Sequence, residues 1–553
     1  MNGPSSPVHA PLAPSAAQDR LRLRLEPILA FILAYVGYRL LAGQLPHHDV
    51  AAIALRLSAN RFLFDIAHVL LDPVTLLWHR HLSFGGPLEE SQRSVSIFAS
   101  SLAIGVLNLT LLILRQSAWR RICICLAVGL SYNIIILAPS GHMKLAGFPF
   151  LNAAILCMIA WELQTRALSR LTPGVTGGEW WLVGGGVGLA MATTMHASAL
   201  AAAPFATLAA LLLARRAGAS WLGALRPAVI FAGTTGGLFV LIVILGFYAF
   251  SDKDPTIANA FAAIAFKASL PPDGISPLDS IGRLVFGTAG NLVAAPDVGP
   301  KIRALMHGWD TSITPYLRTL LIQGIPLALS GLLVAGAYIF GALGTLQNRR
   351  VVMALAFLLG AQAWPAYYDL NDSEHYFALT VPTLLLVILA FPAHSIRFVL
   401  PVATFLIVTT NLAYVGIPTA TYPLQRYSQE LTRQLTPRDL IVNFAAYPGG
   451  AYAGFLETPG IPRLRPDLVL QETRNADATL AEMGRRIDAT LAAGGRVLVF
   501  DMLDPLEWNA PWSLLYRQGL TKPKLKAFIN GRYTVGPEQS IAELKVWQLT
   551  RKP

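Results

Sequence analysis

Along most of this chain the apolar residues come in long unbroken runs, without the strict alternation of a half-buried strand. A helix needs roughly 20 apolar residues to cross the hydrocarbon core of a bilayer. Eleven segments approach that length, near 27–43, 95–114, 122–138, 146–162, 180–197, 199–214, 228–250, 319–345, 351–368, 376–393 and 398–416. The pattern predicts an α-helical polytopic membrane protein with about eleven transmembrane helices. Ahead of them, Met1 to Asp19 is a Pro, Ser and Ala tail with no apolar run. It reads as part of a disordered cytoplasmic leader (1–25) and not as a cleavable signal.

Three connections break the run pattern. The first, about 44–94, holds helix-like apolar stretches interrupted by Pro73 and by Gly85-Gly86-Pro87. The second, about 251–317, contains Ala258 to Leu270 and Ile281 to Leu292, which read as helices lying in the interface. The third is the end of the chain, where 17 basic and 13 acidic side chains follow Ala420. There Asp439 to Ala445 and Arg496 to Asp501 read as strands, and Ala476 to Ala493 as an amphipathic helix stopped by Gly494-Gly495. The expected organisation is a membrane module over 26–417 followed by a small soluble α/β domain over 418–553.

Composition narrows the class. The chain is 54% hydrophobic and 13% charged, against about 25% charged in soluble domains. A large soluble enzyme is excluded. The net charge of +12 is explained by where the arginines fall. Arg20, Arg22 and Arg24 precede the first run, and Arg115, Arg120 and Arg121, Arg166 and Arg170, Arg215, Arg216 and Arg226, Arg349 and Arg350, and Arg397 mark alternate connections. The positive-inside rule puts those connections and the N-terminus in the cytoplasm. An odd span count then puts 418–553 on the outer side, the periplasm for a bacterial inner membrane. Cys123, Cys125 and Cys157 all lie in apolar runs, so no disulfides are expected.

The runs hold few ionisable groups: Arg39 near an outer end, Glu162 at an inner end and His196 at an outer end. Ion-coupled carriers need such groups at mid-membrane. A GxxxxGK[ST] nucleotide loop and an HExxH zinc pair are also missing. What remains is polarity at the outer surface. Asp49 is the first acid after the first run, in Leu45-Pro46-His47-His48-Asp49-Val50. Held at the bilayer surface, its carboxylate is placed to take a proton from a hydroxyl nucleophile. It is equally suited to cap a helix starting at Val50. His47 and His48 are adjacent, so their side chains diverge and a shared metal is disfavoured. Asp65, His68 and Asp72 are spaced i, i+3 and i+7, which on one helix lines them along one face. Asp72-Pro73 also reads as an N-cap followed by an N1 proline.

This layout resembles the membrane-embedded type C glycosyltransferases. The likeness lies in a first span, a long outer loop with an early acid, about eleven to thirteen spans and an outer C-terminal domain. Asp65-Ile66-Ala67-His68-Val69-Leu70-Leu71-Asp72-Pro73 is similar to the His-then-Pro segment of these enzymes, and Glu374-His375-Tyr376-Phe377-Ala378-Leu379-Thr380-Val381-Pro382 to their late-helix segment. The resemblance implies inverting transfer of a sugar from a polyprenyl-phosphate carrier to an acceptor hydroxyl on a cell-envelope glycan, glycolipid or protein. It implies Asp49 as general base, with Asp65, His68, Asp72, Glu374 and His375 in the substrate pocket. Many members show two acids where this chain has Asp49 alone. A divalent metal is compatible with the sequence and not required by it, and no nucleic acid is expected.

A lipid phosphate at the outer interface would be met by cations from Arg39, His142, Lys144, His196, Lys267, Arg283, Lys301, Arg303 and His307, with Lys267 and Arg283 preferred because each sits in an apolar stretch of the second connection. Gly184 and Gly188 read as helix-packing positions. Asp501, Asp504 and Glu507 read as solvated acids of a polar turn. Two other readings share the outer surface: a polysaccharide ligase or polymerase with a lipid-diphosphate donor, and a non-catalytic envelope protein that handles lipid.

Overall fold

In the computed structural model the described residues are 16–43, 69–83, 86, 88–171, 177–250, 256, 258–259, 288–295, 298, 317, 320–344, 349–367, 378, 380–391, 395–420, 433–443, 461–464, 466, 469, 473, 475–500, 519–520, 522–541 and 544–552. They divide into two compact units, Met1–Leu41 with Arg61–Gly416 and Ala42–Asn60 with Ile417–Pro553.

The first unit is helical. Its helices are α1 (Ala16–Leu41), α2 (Leu71–Leu82), α3 (Leu88–Ile113), α4 (Ala118–Gly129), α5 (Tyr132–Ser140), α6 (Phe148–Leu171), α7 (Glu179–Met195), α8 (Ala202–Arg216), α9 (Trp221–Phe250), α10 (Ile325–Gly344), α11 (Arg349–Tyr367), α12 (Thr380–Ala390) and α13 (Val399–Asn411). Helix stands at every one of the eleven apolar segments. Among the described residues, by length and composition, six helices can cross a membrane, or seven if the bent pair α4 and α5 forms one span, while Val352–Ala361 and Thr380–Ala390 are shorter. This is a membrane protein, mostly helical.

Packing follows small side chains and breaks. Helix α1 packs on α3, α3 on α6, α6 on α7, α7 on α9, and α8 on both α9 and α11. On α7 a Cβ at Gly188 would lie 2.9 Å from the Phe150 carbonyl oxygen of α6, and one at Gly186 would lie 2.8 Å from Thr234 Cβ of α9. The glycines therefore let backbones meet on two sides of one helix. Helices α4 and α5 meet at a 60° bend. Beside it Asn411, fully buried, donates from Nδ2 to the carbonyls of Leu130 and Leu292, each at 2.7 Å, and accepts from the Ala294 N–H at 2.7 Å. A carbonyl at a helix end inside a membrane needs such a partner.

One expected boundary moves. The second span was expected from 95, yet α3 begins at Leu88. Its polar first turns are held by partners: Arg39 Nη1 donates to Glu90 at 2.5 Å, Arg39 Nη2 to Ser94 at 2.6 Å, and His79 Nδ1 shares a hydrogen bond with Ser91 Oγ at 2.9 Å. Hydropathy could not see a helix continued by ion pairs.

The second unit carries a five-stranded sheet of order β2-β1-β3-β5-β4, from β1 (Leu440–Asn443), β2 (Arg463–Leu464), β3 (Val497–Phe500), β4 (Tyr533–Ile541) and β5 (Leu544–Arg551). Strand β1 pairs in parallel with both β2 and β3, and β5 is antiparallel to both β3 and β4. Helices α14 (Ala476–Ala492) and α15 (Lys522–Arg532) cover one face. Leu480, Met483 and Ile487 of α14 and Leu525 and Ile529 of α15 pack with Leu440, Val442, Val497, Val499 and Leu549. Asn475 caps α14, its Oδ1 accepting from the N–H groups of Asp477 and Ala478 at 2.9 and 3.1 Å.

Candidate functional site

Asp49, Asp65, His68, Lys267, Arg283, Glu374 and His375 lie outside the described residues, as do Lys301, Arg303 and His307. Asp72, Arg39, His142, Lys144 and His196 are described, and all but Arg39 are buried.

Asp72 requires a correction. Val69 and Leu70 form a turn, Leu70 is the N-cap of α2, and the helix proper starts at Leu71. Asp72 is thus the second residue of the helix and not its cap, and it is 7% exposed. The i, i+3, i+7 stripe is not carried on one continuous helix through 72. The cause is a tertiary tie: the Leu70 N–H donates to the Thr194 carbonyl at 3.1 Å near the end of α7, while the Leu70 carbonyl accepts from Val74 at 3.0 Å. Pro73 is tolerated because a first-turn N–H has no intrahelical partner to lose. Asp72 keeps a favourable position, since a carboxylate in the first turn faces the positive end of the helix dipole.

Two histidines act as local caps. His142 Nδ1 accepts from the Lys144 N–H at 3.1 Å and so starts the 3-10 turn Met143–Gly147. His196, which ends α7, accepts at Nδ1 from the Ser198 N–H at 3.3 Å and shares a hydrogen bond with Ser198 Oγ at 2.6 Å, starting the turn Ala197–Ala201. Where Nδ1 accepts, the neutral ring carries its proton on Nε2. Both rings are buried, and Lys144, two residues after His142, is 6% exposed. Two glycines bring these turns together. Gly141 has a left-handed φ of 87°, and a Cβ there would lie 2.9 Å from Arg93 Cα on α3. A Cβ at Gly147 would lie 2.9 Å from the Ala192 carbonyl oxygen on α7. Ser96 Oγ of α3 completes the tie, donating to the His142 carbonyl at 3.2 Å.

One residue of this rim was not singled out in the sequence. Gln92 on α3 is 1% exposed, and among the described residues neither its Oε1 nor its Nε2 has a hydrogen-bond partner. A buried amide without partners costs free energy, and it offers both a donor and an acceptor to anything bound beside it. Its sequence context, Glu89-Glu90-Ser91-Gln92-Arg93-Ser94, reads as a polar loop, so nothing marks it until the helix is seen. Arg39, in contrast, is committed to Glu90 and Ser94 and lies 5.5 Å over the Tyr35 ring, so its guanidinium already has partners. The rim therefore holds a carboxylate, an ammonium, two imidazoles and an open amide between the ends of α2, α3, α5 and α7. Among the described residues no three His, Cys, Asp or Glu side chains group to hold a metal.

No protein-family model and no curated protein sequence matches the chain. Solved structures do. ArnT from Cupriavidus metallidurans in the apo state is similar over 97% of this chain and 98% of its own, at 12% identity and a TM-score of 0.50. The same protein bound to undecaprenyl phosphate aligns over 97% and 98% at 11% identity and a TM-score of 0.49. The oligosaccharyltransferase AglB from Archaeoglobus fulgidus, in complex with an inhibitory peptide and a dolichol-phosphate, aligns over 96% of this chain and 75% of its own at 10% identity and a TM-score of 0.48. The first of these likenesses carries the conclusion, and it concerns fold: the chain has the GT-C fold.

Proposed function

We propose that the chain is an inverting membrane glycosyltransferase. It moves a sugar from a polyprenyl-phosphate carrier to the hydroxyl of a cell-envelope glycan, glycolipid or protein. In this reading about eleven helices within 26–417 cross a bacterial inner membrane, the N-terminus is cytoplasmic, and 418–553 forms a periplasmic α/β domain. Asp49 is the general base. Asp65, His68, Asp72, Glu374 and His375 line the substrate pocket, and Lys267 and Arg283 meet the carrier phosphate. The GT-C fold, matched over nearly the whole chain, supports the reaction class. The observation that carries the choice of site is the buried polar rim of Asp72, Gln92, His142, Lys144 and His196, where the ends of α2, α3, α5 and α7 are tied together.

Mechanistically, the base removes a proton from the acceptor hydroxyl as its oxygen attacks the anomeric carbon, and the carrier leaves as its phosphate. Inversion needs one displacement only, so a single carboxylate suffices. An ammonium and imidazoles near the leaving phosphate stabilise the charge that develops there. The test is Asp49→Asn in proteoliposomes supplied with lipid-linked sugar. Asn keeps the shape and also caps helices well, so a capping role predicts little change. A base role predicts a turnover loss of about a hundredfold or more, with expression and donor binding unchanged. Near wild-type turnover would reduce Asp49 to a cap.

A further inference from the structure

Away from the polar rim the helical unit holds a cavity of about 490 Å³ between α1, α3 and α4. That volume lies in the range of small-molecule sites. Its lining runs along α1 from Glu26 to Tyr38 and along α4 from Ala118 to Gly129. The twelve helical steps from Glu26 to Tyr38 span roughly 18 Å at 1.5 Å each, so the cavity is a slot and not a ball. Its walls are almost wholly apolar, and it opens sideways between Leu29 and Leu33 of α1 and Ile122 and Leu126 of α4, all of them exposed. On the surface of a membrane protein that direction faces lipid.

Two polar atoms at one end of the slot are buried and unmatched. Among the described residues, the Oδ1 of Asn108 of α3, which is 8% exposed, has no hydrogen-bond partner, while its Nδ2 makes only a long contact of 3.9 Å to Cys125 Sγ. Arg121 Nε also has none, although Nη2 of the same guanidinium donates to Glu26 at 2.5 Å and Nη1 to the Gln116 carbonyl at 2.6 Å. One atom accepts and the other donates. Cys125, which Asn108 touches, stands one helical turn beyond Arg121, so the two openings are neighbours. A hydroxyl answers both, since it donates and accepts at once. Asn108 lies 16 residues along α3 from Gln92 of the rim, roughly 24 Å away on a straight helix. The slot is therefore separate from the rim.

We propose that the slot between α1, α3 and α4 is a binding site for a hydroxyl-headed membrane lipid, whose tail runs between Gly37 and Gly129 and whose hydroxyl lies between Asn108 Oδ1 and Arg121 Nε. Charge alone does not select the ligand, because Glu26 already answers Arg121. Gly37 gives a clean way to close the site. It lines the slot, and a Cβ there meets nothing within 4 Å, so a larger side chain grows into the cavity and not into protein.

The test uses the full chain in nanodiscs of phosphatidylcholine, doped in turn with phosphatidylglycerol, whose head carries hydroxyls, and with phosphatidic acid, which has the charge without the glycerol head. Native mass spectrometry after release reads the retained lipid. The expected result is one phosphatidylglycerol kept per chain in preference to both other lipids. Asn108→Leu should cut that preference about tenfold, the scale of one buried hydrogen bond lost. Gly37→Leu should abolish retention while the protein stays monodisperse, and Gly37→Ala, which fills less, should fall between. Retention that mirrors the bulk composition means ordinary surrounding lipid only and overturns the proposal. So does equal retention of phosphatidic acid, which reduces the selection to charge, or retention unchanged by Gly37→Leu.

Discussion

The two units treat buried polar groups in opposite ways. In the sheet unit, Asp439 is 2% exposed and its carboxylate accepts from the Thr436 N–H at 2.7 Å, Thr436 Oγ1 at 3.0 Å, and the Arg496 N–H, Nε and Nη2 at 2.9, 3.1 and 2.8 Å. In the helical unit, Gln92 and Asn108 are buried with amide atoms left open. Among the described residues, every buried side-chain atom lacking a hydrogen bond belongs to the helical unit. Asn411 shows that this unit can satisfy an amide fully where the amide holds a bend. Gln92 and Asn108 are the two open amides that stand beside the candidate sites, where a ligand can supply the partner.

The largest effect expected tests the closed side of that contrast. Gly495 sits where β3 begins beside β1, and a Cβ there would come within 1.9 Å of the Arg438 carbonyl oxygen. Gly495→Ala should push the two strands apart and cost about 3 kcal/mol or more. Hydrogen exchange at 440–443 and 497–500 in the full chain reads this as lost protection, and unchanged protection would mean the strands have slack. Next in size is Asp439→Ala, which strands the Thr436 and Arg496 N–H groups. Arg496 is 41% exposed and resolvates, so the cost should be about 2 to 3 kcal/mol, the low end for a broken buried pair.

How much of this was legible in the sequence depended on which solvent wrote the signal. Bilayer-facing runs must be long and apolar, so a helix stands at each apolar segment. Strands β1 and β3 and helix α14 fall within the segments expected from their apolar periodicity. Strands β4 and β5 were not expected, because Tyr533 to Ser540 is polar, carries Gly536-Pro537, and folds around a register shift between Val535 and Glu538. Its strand character comes from pairing and not from composition. The helix start at Leu71 was missed for a similar reason, since the Leu70 to Thr194 bond is invisible locally. The Asp439–Arg496 pair, 57 residues apart in sequence, and the open amides of Gln92 and Asn108 were illegible too. Each depends on what the fold brings near.

A smaller effect follows from acid. Burial alone would raise the Asp439 carboxyl, but the Arg496 guanidinium and the backbone N–H groups of Thr436 and Arg496 outweigh it, so the carboxyl titrates well below the usual carboxylate range. The folded state therefore binds this proton less readily than the unfolded chain. Its contribution is fully present above the unfolded value of about 3.9 and is lost as pH falls below it. Between about pH 4 and pH 3 the sheet unit should lose about 1 kcal/mol through this group. Asp439→Asn should flatten that part of the profile. A slope unchanged in the Asn variant would assign the acid sensitivity to other carboxylates and weaken the contrast between the units.

The smallest change in stability is expected at Gln92, and it sharpens the comparison most. If the Gln92 amide has no partner in the unliganded protein, replacing it by an apolar side chain of similar length removes a desolvation cost and no bond. Gln92→Leu should therefore leave the thermal midpoint of the full chain unchanged or raise it, by no more than about 1 kcal/mol. The same substitution should lower sugar-transfer turnover about tenfold, because the amide would be answered only by substrate. Asn411→Leu serves as the control within the same unit, since three hydrogen bonds are lost there and the midpoint should fall. Tryptophan fluorescence during thermal unfolding in detergent reads both variants. If Gln92→Leu proves as destabilising as Asn411→Leu, Gln92 is a structural amide, and the open polar groups of the helical unit no longer mark a site.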